Sequence, residues 1–199
     1  MLGRVLRYMS GVIGFGLRFA HAAIGFALCL YAGASHGRGA HHTAAGFCKS
    51  RSGGCIFASG ACIYAWSNIQ QGTALSAFES GLYTLVLGIR YLLALQRIAT
   101  FVIGATLPTS LAFCDNQSVI AKLLRRDLSS RSRHIRTNLG FVYEAIDNGD
   151  IHVEYIRSDA NPANPANTLH PKHRRPLGTR RTPLSQNDTN KELSPSHNQ

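Results

Sequence analysis

Between Ser76 and Leu95 the chain carries its strongest periodicity. Leu82, Leu85, Val86, Ile89 and Leu93 recur at helical spacing, so a helix from Ala77 to about Leu95 would gather them on one face. Its start is marked by Ser76 and Glu79 in the order Ser-x-x-Glu, where each side chain satisfies the other's backbone amide. A long helix with one apolar face needs an apolar layer to lie on. The flanking sequence has to supply that layer.

It does so with short runs of strand character. Ala27–Tyr31 is a compact apolar run, and Gly54–Ala58 and Cys62–Trp66, separated by Ser59-Gly60-Ala61, form a hairpin pattern. After the long helix, Leu111–Cys114 reads as a buried strand and Gln117–Leu124 as a short helix. Arg136–Asn148 is a further helix with Leu139, Val142 and Ile146 inward and a stop at Asn148-Gly149. Ile151–Arg157 alternates Ile151, Val153 and Tyr155 against His152 and Glu154, the pattern of a half-buried strand. Strands before and after helices give an α/β layered domain, a mixed sheet flanked by helices. With 199 residues and 45% hydrophobic content the chain can build one such core. From Ala160 onward proline, asparagine and basic residues take over and the apolar period is lost. A disordered basic tail is expected there, with one helical turn near Asn164–Leu169.

Charge narrows the partners. The net charge is +11, which favours polyanions. Only ten acids exist, and the first from the N-terminus is Glu79. The five cysteines (Cys29, Cys48, Cys55, Cys62 and Cys114) form no Cys-x-x-Cys pair, which reads as reduced thiols in an intracellular protein of cytoplasm or nucleus. His41-His42 lacks cysteines at finger spacing, so no zinc site is expected. Residues 1–35 have early arginines, apolar runs and no acid, like a leader, but Arg18 and His21 break the run before it could span a bilayer.

Asp115 follows the buried run Leu111–Cys114 directly, and a carboxylate at a strand end is a common metal holder. Metal chemistry on phosphates needs several such groups converging. The surrounding residues, "FCDNQSVIAK" and then "SSRSRHIRTNLGFVYEAIDNGDIHVEYIRSDANPAN", resemble the C-terminal ribonuclease H region of copia-type retrotransposon polyproteins. That family has "CDNQSAI", then "SRTKHIDIRYHFIRE…G…I…Y" and "NPADILTKPL". Upstream, "WSNIQQGTALSAFESGLYTL" is similar to its "WSSKKQPTVALSTTEAEYMAL", "YAGAS" to "YADAS", and "RVLRYMSGVIGFGLRF" to the "RVLRYLKGTIDYGL" connection before the domain. The similarity runs in order from Met1 to Pro171. It divides the chain into a connection remnant at 1–26, a ribonuclease H-like domain at 27–171 and a tail at 172–199.

The resemblance implies an enzyme that cuts RNA in RNA–DNA hybrids with two Mg2+ ions held by four carboxylates. Only Asp115 matches a family acid. Gly33 stands where the first-strand aspartate belongs, and the gapless pairing of "SAFESGL" with "STTEAEY" puts Gly81 at the ligand glutamate. Both copies of the final motif end in asparagine, at Asn164 and Asn167. Glu79 is two residues from Gly81, about 200° around a helix, so it cannot reach the same target. Asp159 precedes the last motif by several residues. Gly81 inside a good helix costs ~1 kcal/mol against alanine and serves no turn, so it reads as a loss. The expectation is a degenerate domain that holds no Mg2+ stably. Lys122, Arg125, Arg126, Arg131, Arg133, His134 and Arg136 form a basic band, and Arg174, Arg175, Arg180 and Arg181 decorate the tail. Such bands contact nucleic-acid phosphates or are solvated faces. A small basic organellar or membrane-associated protein is the reading from another class. The segment Ser35–Gly53 is longer than the family pattern and leaves the second strand open: "GFCKS" or "GCIFA" could start it.

Overall fold

Ser59 and Gly60, both with positive φ (47° and 83°), close a two-residue turn between Arg51–Ala58 (β2) and Ala61–Ile69 (β3). Paired positive φ values match the twist of the strands they join. The computed structural model describes residues 26–37, 49–129 and 132–164. Before the hairpin comes β1 (Leu28–Ser35), and after it α1 (Ala77–Ile103), β4 (Ser110–Cys114), α2 (Gln117–Leu124), α3 (Arg133–Asp147) and β5 (Ile151–Tyr155). The expected tail at 172–199, all of the connection at 1–26 except Phe26, and all of the turn near Asn164–Leu169 except Asn164 lie outside the described residues.

The five strands form one mixed sheet in the order β3-β2-β1-β4-β5. β1 pairs antiparallel with β2 and parallel with β4, and β5 joins β4 in parallel. β1 is therefore hydrogen-bonded on both sides. Leu28, Leu30 and Ala32 alternate into the core from it, with Ile56 of β2 beside them. The stripe Leu82, Leu85, Ile89 and Leu92 of α1 is fully buried in the same cluster, as are Val119 of α2 and Leu139 and Val142 of α3. By length and composition α1 could also cross a membrane. Its apolar stripe, however, is the core contact of the sheet.

Gly54 shows how tightly the hairpin packs. A Cβ there would stand 2.1 Å from the Trp66 ring, which lies flat over the glycine on the neighbouring strand. Trp66 in turn meets Tyr91 of α1 edge-on, at 5.2 Å between ring centroids. Under the same helix sits a polar knot that hydrophobic pattern does not reveal. Gln70 Nε2 donates to Ser52 Oγ (3.0 Å) and to the Ser80 carbonyl (2.9 Å), and Ser52 and Thr84 share a hydroxyl bond of 2.7 Å.

Several boundaries move from their expected places. α1 runs two turns past Leu95 and ends at Gly104, whose φ of 71° lets its amide reach the Thr100 carbonyl at 2.9 Å. No breaker precedes that glycine, so the helix propagates although Ile98, Phe101 and Val102 are exposed. Gln96 pins the extension by donating to Ser110 Oγ (2.8 Å) and the Asp150 carbonyl (2.9 Å). β2 starts at Arg51, so "GCIFA" lies in the strand and "GFCKS" precedes it. β1 continues to Ser35 because β2 offers backbone partners as far as Arg51. Gly54→Val should destabilise the protein by about 2–3 kcal/mol through overpacking. Urea titration would measure this, and the fluorescence of Trp66, the single tryptophan, should shift toward that of a wetter ring.

Candidate functional site

The β1–β4 ladder sets the site. Its last pair is Ala32 with Cys114, and the next residues along the two parallel strands are Gly33 and Asp115. The expected first-strand position and the retained aspartate therefore end up side by side, although 82 positions separate them in sequence. Asp115 is half-buried, and its Oδ2 accepts from Ser158 Oγ at 3.3 Å. Burial pushes its pKa above the usual aspartate value, with Asn161 and Ser158 opposing that rise.

Asn161 holds the approach from the C-terminal side. It is 3% exposed, and its Nδ2 donates to the Ala32 carbonyl at 3.1 Å while its Oδ1 accepts from the Ala163 amide at 3.0 Å. The first NPAN copy is thereby fastened to the central strand. Asn164 closes that copy and donates to the carbonyl of Ser158, the same residue whose hydroxyl bonds Asp115. Asn167 lies outside the described residues.

Gly81 is where the structure changes the expectation most. The position is not vacant. A Cβ on Gly81 would stand 2.6 Å from Asn116 Nδ2, because the Asn116 side chain lies against the glycine. Asn116 is held there from both ends. Its Nδ2 donates to the Ala77 carbonyl (2.7 Å), and its Oδ1 caps α2 by accepting from the Val119 amide (3.1 Å). The glycine thus allows a close contact between α1 and the start of α2, instead of being only a weak point in the helix. The Asn116 amide thus occupies the space that a side chain at position 81 would take.

Neither candidate substitute acid points to this pocket. Glu79 is 5% exposed, and its Oε2 accepts from the Leu75 amide at 2.8 Å. The expected box is thus only half formed: Ser76 Oγ does accept from the Glu79 amide (3.1 Å), but the glutamate reaches one residue further back than Ser76. Its other oxygen receives Tyr83 OH (2.8 Å) and His134 Nε2 (2.9 Å). Burial raises the Glu79 pKa, but the Leu75 amide, Tyr83 and His134 outweigh it and leave the carboxyl below its usual range. Asp159 is taken by Arg157, at 3.1 and 3.0 Å. Among the described residues no three His, Cys, Asp or Glu side chains gather as a metal-holding group.

The basic band divides in two. Lys122 is paired with Asp127 (2.9 Å), and Arg126 bonds Asp147 while lying 5.6 Å over the Tyr143 ring. Arg125, Arg133 and Arg136 are exposed and form no ion pair among the described residues. His134 belongs to Glu79, and Arg131 lies outside the described residues.

A five-stranded mixed sheet in this order, with the helices between its strands packed on it, defines a ribonuclease H-like fold. No protein-family model matches the chain, and no curated protein matches it. Solved structures do. LC11-RNase H1, isolated from compost by a metagenomic approach, is similar over 70% of this chain and 91% of its own, with a TM-score of 0.51 and 12% identity. The N-terminal RNase H domain of a Mycobacterium tuberculosis protein is similar over 71% and 94%, with a TM-score of 0.51 and 10% identity. At such identities the likeness establishes the fold.

Two outcomes are expected from this geometry. Gly81→Ala should destabilise the protein in spite of its gain of ~1 kcal/mol in helix propensity, and Asn116→Gly added to it should restore part of the loss. A double-mutant cycle by denaturant unfolding would read that coupling. The two carboxylates should pull stability in opposite directions with pH. A depressed folded-state pKa at Glu79 adds stability above the unfolded value of about 4.3, which is lost as pH falls through the folded value. The raised pKa of Asp115 costs stability once the group ionises. Glu79→Gln should therefore lower the Tm at pH 7 and flatten the acid loss, whereas Asp115→Asn should raise the Tm at pH 7.

Proposed function

We propose that this chain is the ribonuclease H-like end of a copia-type retrotransposon polyprotein whose hybrid-cutting centre has lost its ligands, and that it does not cleave RNA–DNA hybrids. The observation that carries the reading is the pocket itself: one carboxylate, Asp115, stands beside Gly33, and the Asn116 amide covers Gly81. The motif order along the sequence supports the copia origin, and the fold supports the broader ribonuclease H-like class.

The donor set does not fit two magnesium ions. Magnesium prefers anionic oxygens and holds its waters tightly. One carboxylate leaves most of the charge of two divalent cations uncompensated, and the space over Gly81 is filled by the Asn116 Nδ2, a donor bonded to the Ala77 carbonyl. Gly33 and Gly81 supply no side-chain oxygen. We assign Asp115 as the remnant of the metal site, and Gly33, Gly81 and Asn164 or Asn167 as its lost members. No hydrolytic step follows from these groups.

Binding without cleavage is the second reading, and the exposed Arg125, Arg133 and Arg136 favour it. Phosphate contacts by such arginines weaken with salt, by roughly 0.9 in log–log slope per contact. The surface offered is smaller than the sequence band, because Lys122 and Arg126 already have carboxylate partners.

The test is direct. The full chain incubated with a labelled RNA–DNA hybrid and Mg2+ or Mn2+ should release no product. Cleavage abolished by Asp115→Asn would sink the proposal. Gly33→Asp, Gly81→Glu and Asn164→Asp together, with Asn116→Gly to clear the pocket, should raise Mn2+ affinity measured by calorimetry. Each change alone should do little, because the ions need the ligands jointly. Arg125, Arg133 and Arg136 changed to Gln should flatten the salt dependence of hybrid binding if the second reading holds.

A further inference from the structure

The hairpin at the sheet edge carries two thiols that belong to none of the groups gathered around Asp115. Cys55 lies buried in β2 and Cys62 half-buried near the start of β3. In the β2–β3 ladder Cys62 pairs with Phe57, and Cys55 pairs with Ala65. Paired residues share a face of the sheet, and alternate residues of a strand return to it. Cys55, Phe57 and Cys62 therefore share one face, and the two thiols are diagonal neighbours across adjacent strands. Their sulfurs are hydrogen-bonded to each other, and Cys62 also donates to the Tyr64 carbonyl at 3.6 Å.

We propose that Cys55 and Cys62 form a redox pair, which a small disulfide oxidant such as glutathione disulfide converts to a disulfide linking β2 to β3. Cys62, the more accessible of the two, attacks one sulfur of the oxidant as the thiolate. The oxidant's S–S bond breaks, one glutathione leaves as thiolate, and Cys62 carries the other as a mixed disulfide. Cys55 then gives up its proton to solvent and attacks the Cys62 sulfur, expelling the second glutathione. Two protein thiols are oxidised by two electrons, and one glutathione disulfide is reduced to two glutathiones.

The electrostatics suit this order of attack. The hydrogen bond from Cys55 brings the Cys62 thiol down to about 7, against the opposing effect of burial, so the thiolate is well populated at neutral pH. The same bond, together with burial, holds Cys55 up until the mixed disulfide removes its partner. Geometry sets the one demand on the protein. A disulfide needs Cα atoms within ~7 Å, and diagonal neighbours start at roughly 7–8 Å, so β3 has to shift slightly. β3 is the strand able to do so. It is the outer strand of the sheet among the described residues, and its register is already irregular between Ile56 and Phe57. Neither Cys29 nor Cys114 has a thiol hydrogen bond of this kind, and burial raises both.

The experiment uses the full chain in glutathione buffers of graded redox ratio, acid-quenched, alkylated and weighed. The expected product has lost two hydrogens and resists alkylation at Cys55 and Cys62. Digestion after aromatic residues cuts at Phe57, between the two cysteines, and should give a linked pair of peptides that thiol reductant separates. Cys55→Ser should stop at a glutathione adduct on Cys62, and Cys62→Ser should leave Cys55 reduced. The proposal is overturned if the unmodified sequence also stops at the Cys62 adduct, if Cys55 links to Cys29 instead, or if both thiols stay reduced at ratios that oxidise an unstrained model dithiol. None of these readouts depends on nucleic-acid binding or cleavage.

Discussion

The parallel ladder between β1 and β4 is the contact on which the rest of the molecule rests. It joins Leu28–Ser35 to Ser110–Cys114, so a long loop must close before the ladder can form, and that entropy has to be offset by burial. Leu30, Ala112 and Cys114 provide burial at the seam, and α1 covers it with Leu85 and Ile89. Once β1 is held on both sides, the hairpin extends the sheet on one edge and β5 on the other. The Asn161 amide then ties the end of the domain to the Ala32 carbonyl, one residue before Gly33. A single backbone register thus fixes both the core and the pocket at its end.

The pocket at the strand ends combines one carboxylate with neutral neighbours. Asp115 sits at a strand end, partly desolvated, with the Ser158 hydroxyl and the Asn161 amide as its neighbours. Asn116 fills the space over Gly81 while capping α2 and bonding the first turn of α1. One residue therefore does structural work in two helices. A larger side chain at Gly81 would first have to displace that amide. Glu79 is held in a separate corner. Its burial is tolerable because a backbone amide, a tyrosine and a histidine all point at it.

Local signals were legible wherever the determining contacts were local. The Ser76 cap, the short helix from Gln117 and the stop at Asn148-Gly149 follow from residues within a few positions of each other. The far end of α1 was not legible, because its apolar residues there are exposed rather than buried in the core and only Gly104 stops it. The knot of Gln70, Ser52, Ser80 and Thr84 left no periodic trace, since polar residues facing one another across layers look like surface in a hydrophobicity pattern. Nor could spacing show that Glu79 meets His134, 55 positions away on another helix.

By itself, the sequence determined that strands and helices alternate around one long amphipathic helix, and that only Asp115 remains at the acid positions of the family it resembles. Those are properties of neighbouring residues and of residue identity. Tertiary structure alone decided that Gly33 lies beside Asp115, that Asn116 occupies the space over Gly81, and that Lys122 and Arg126 are already spoken for. All but the Lys122–Asp127 pair depend on segments far apart in sequence being brought to within a few ångströms, and only the assembled sheet with its packed helices sets that distance.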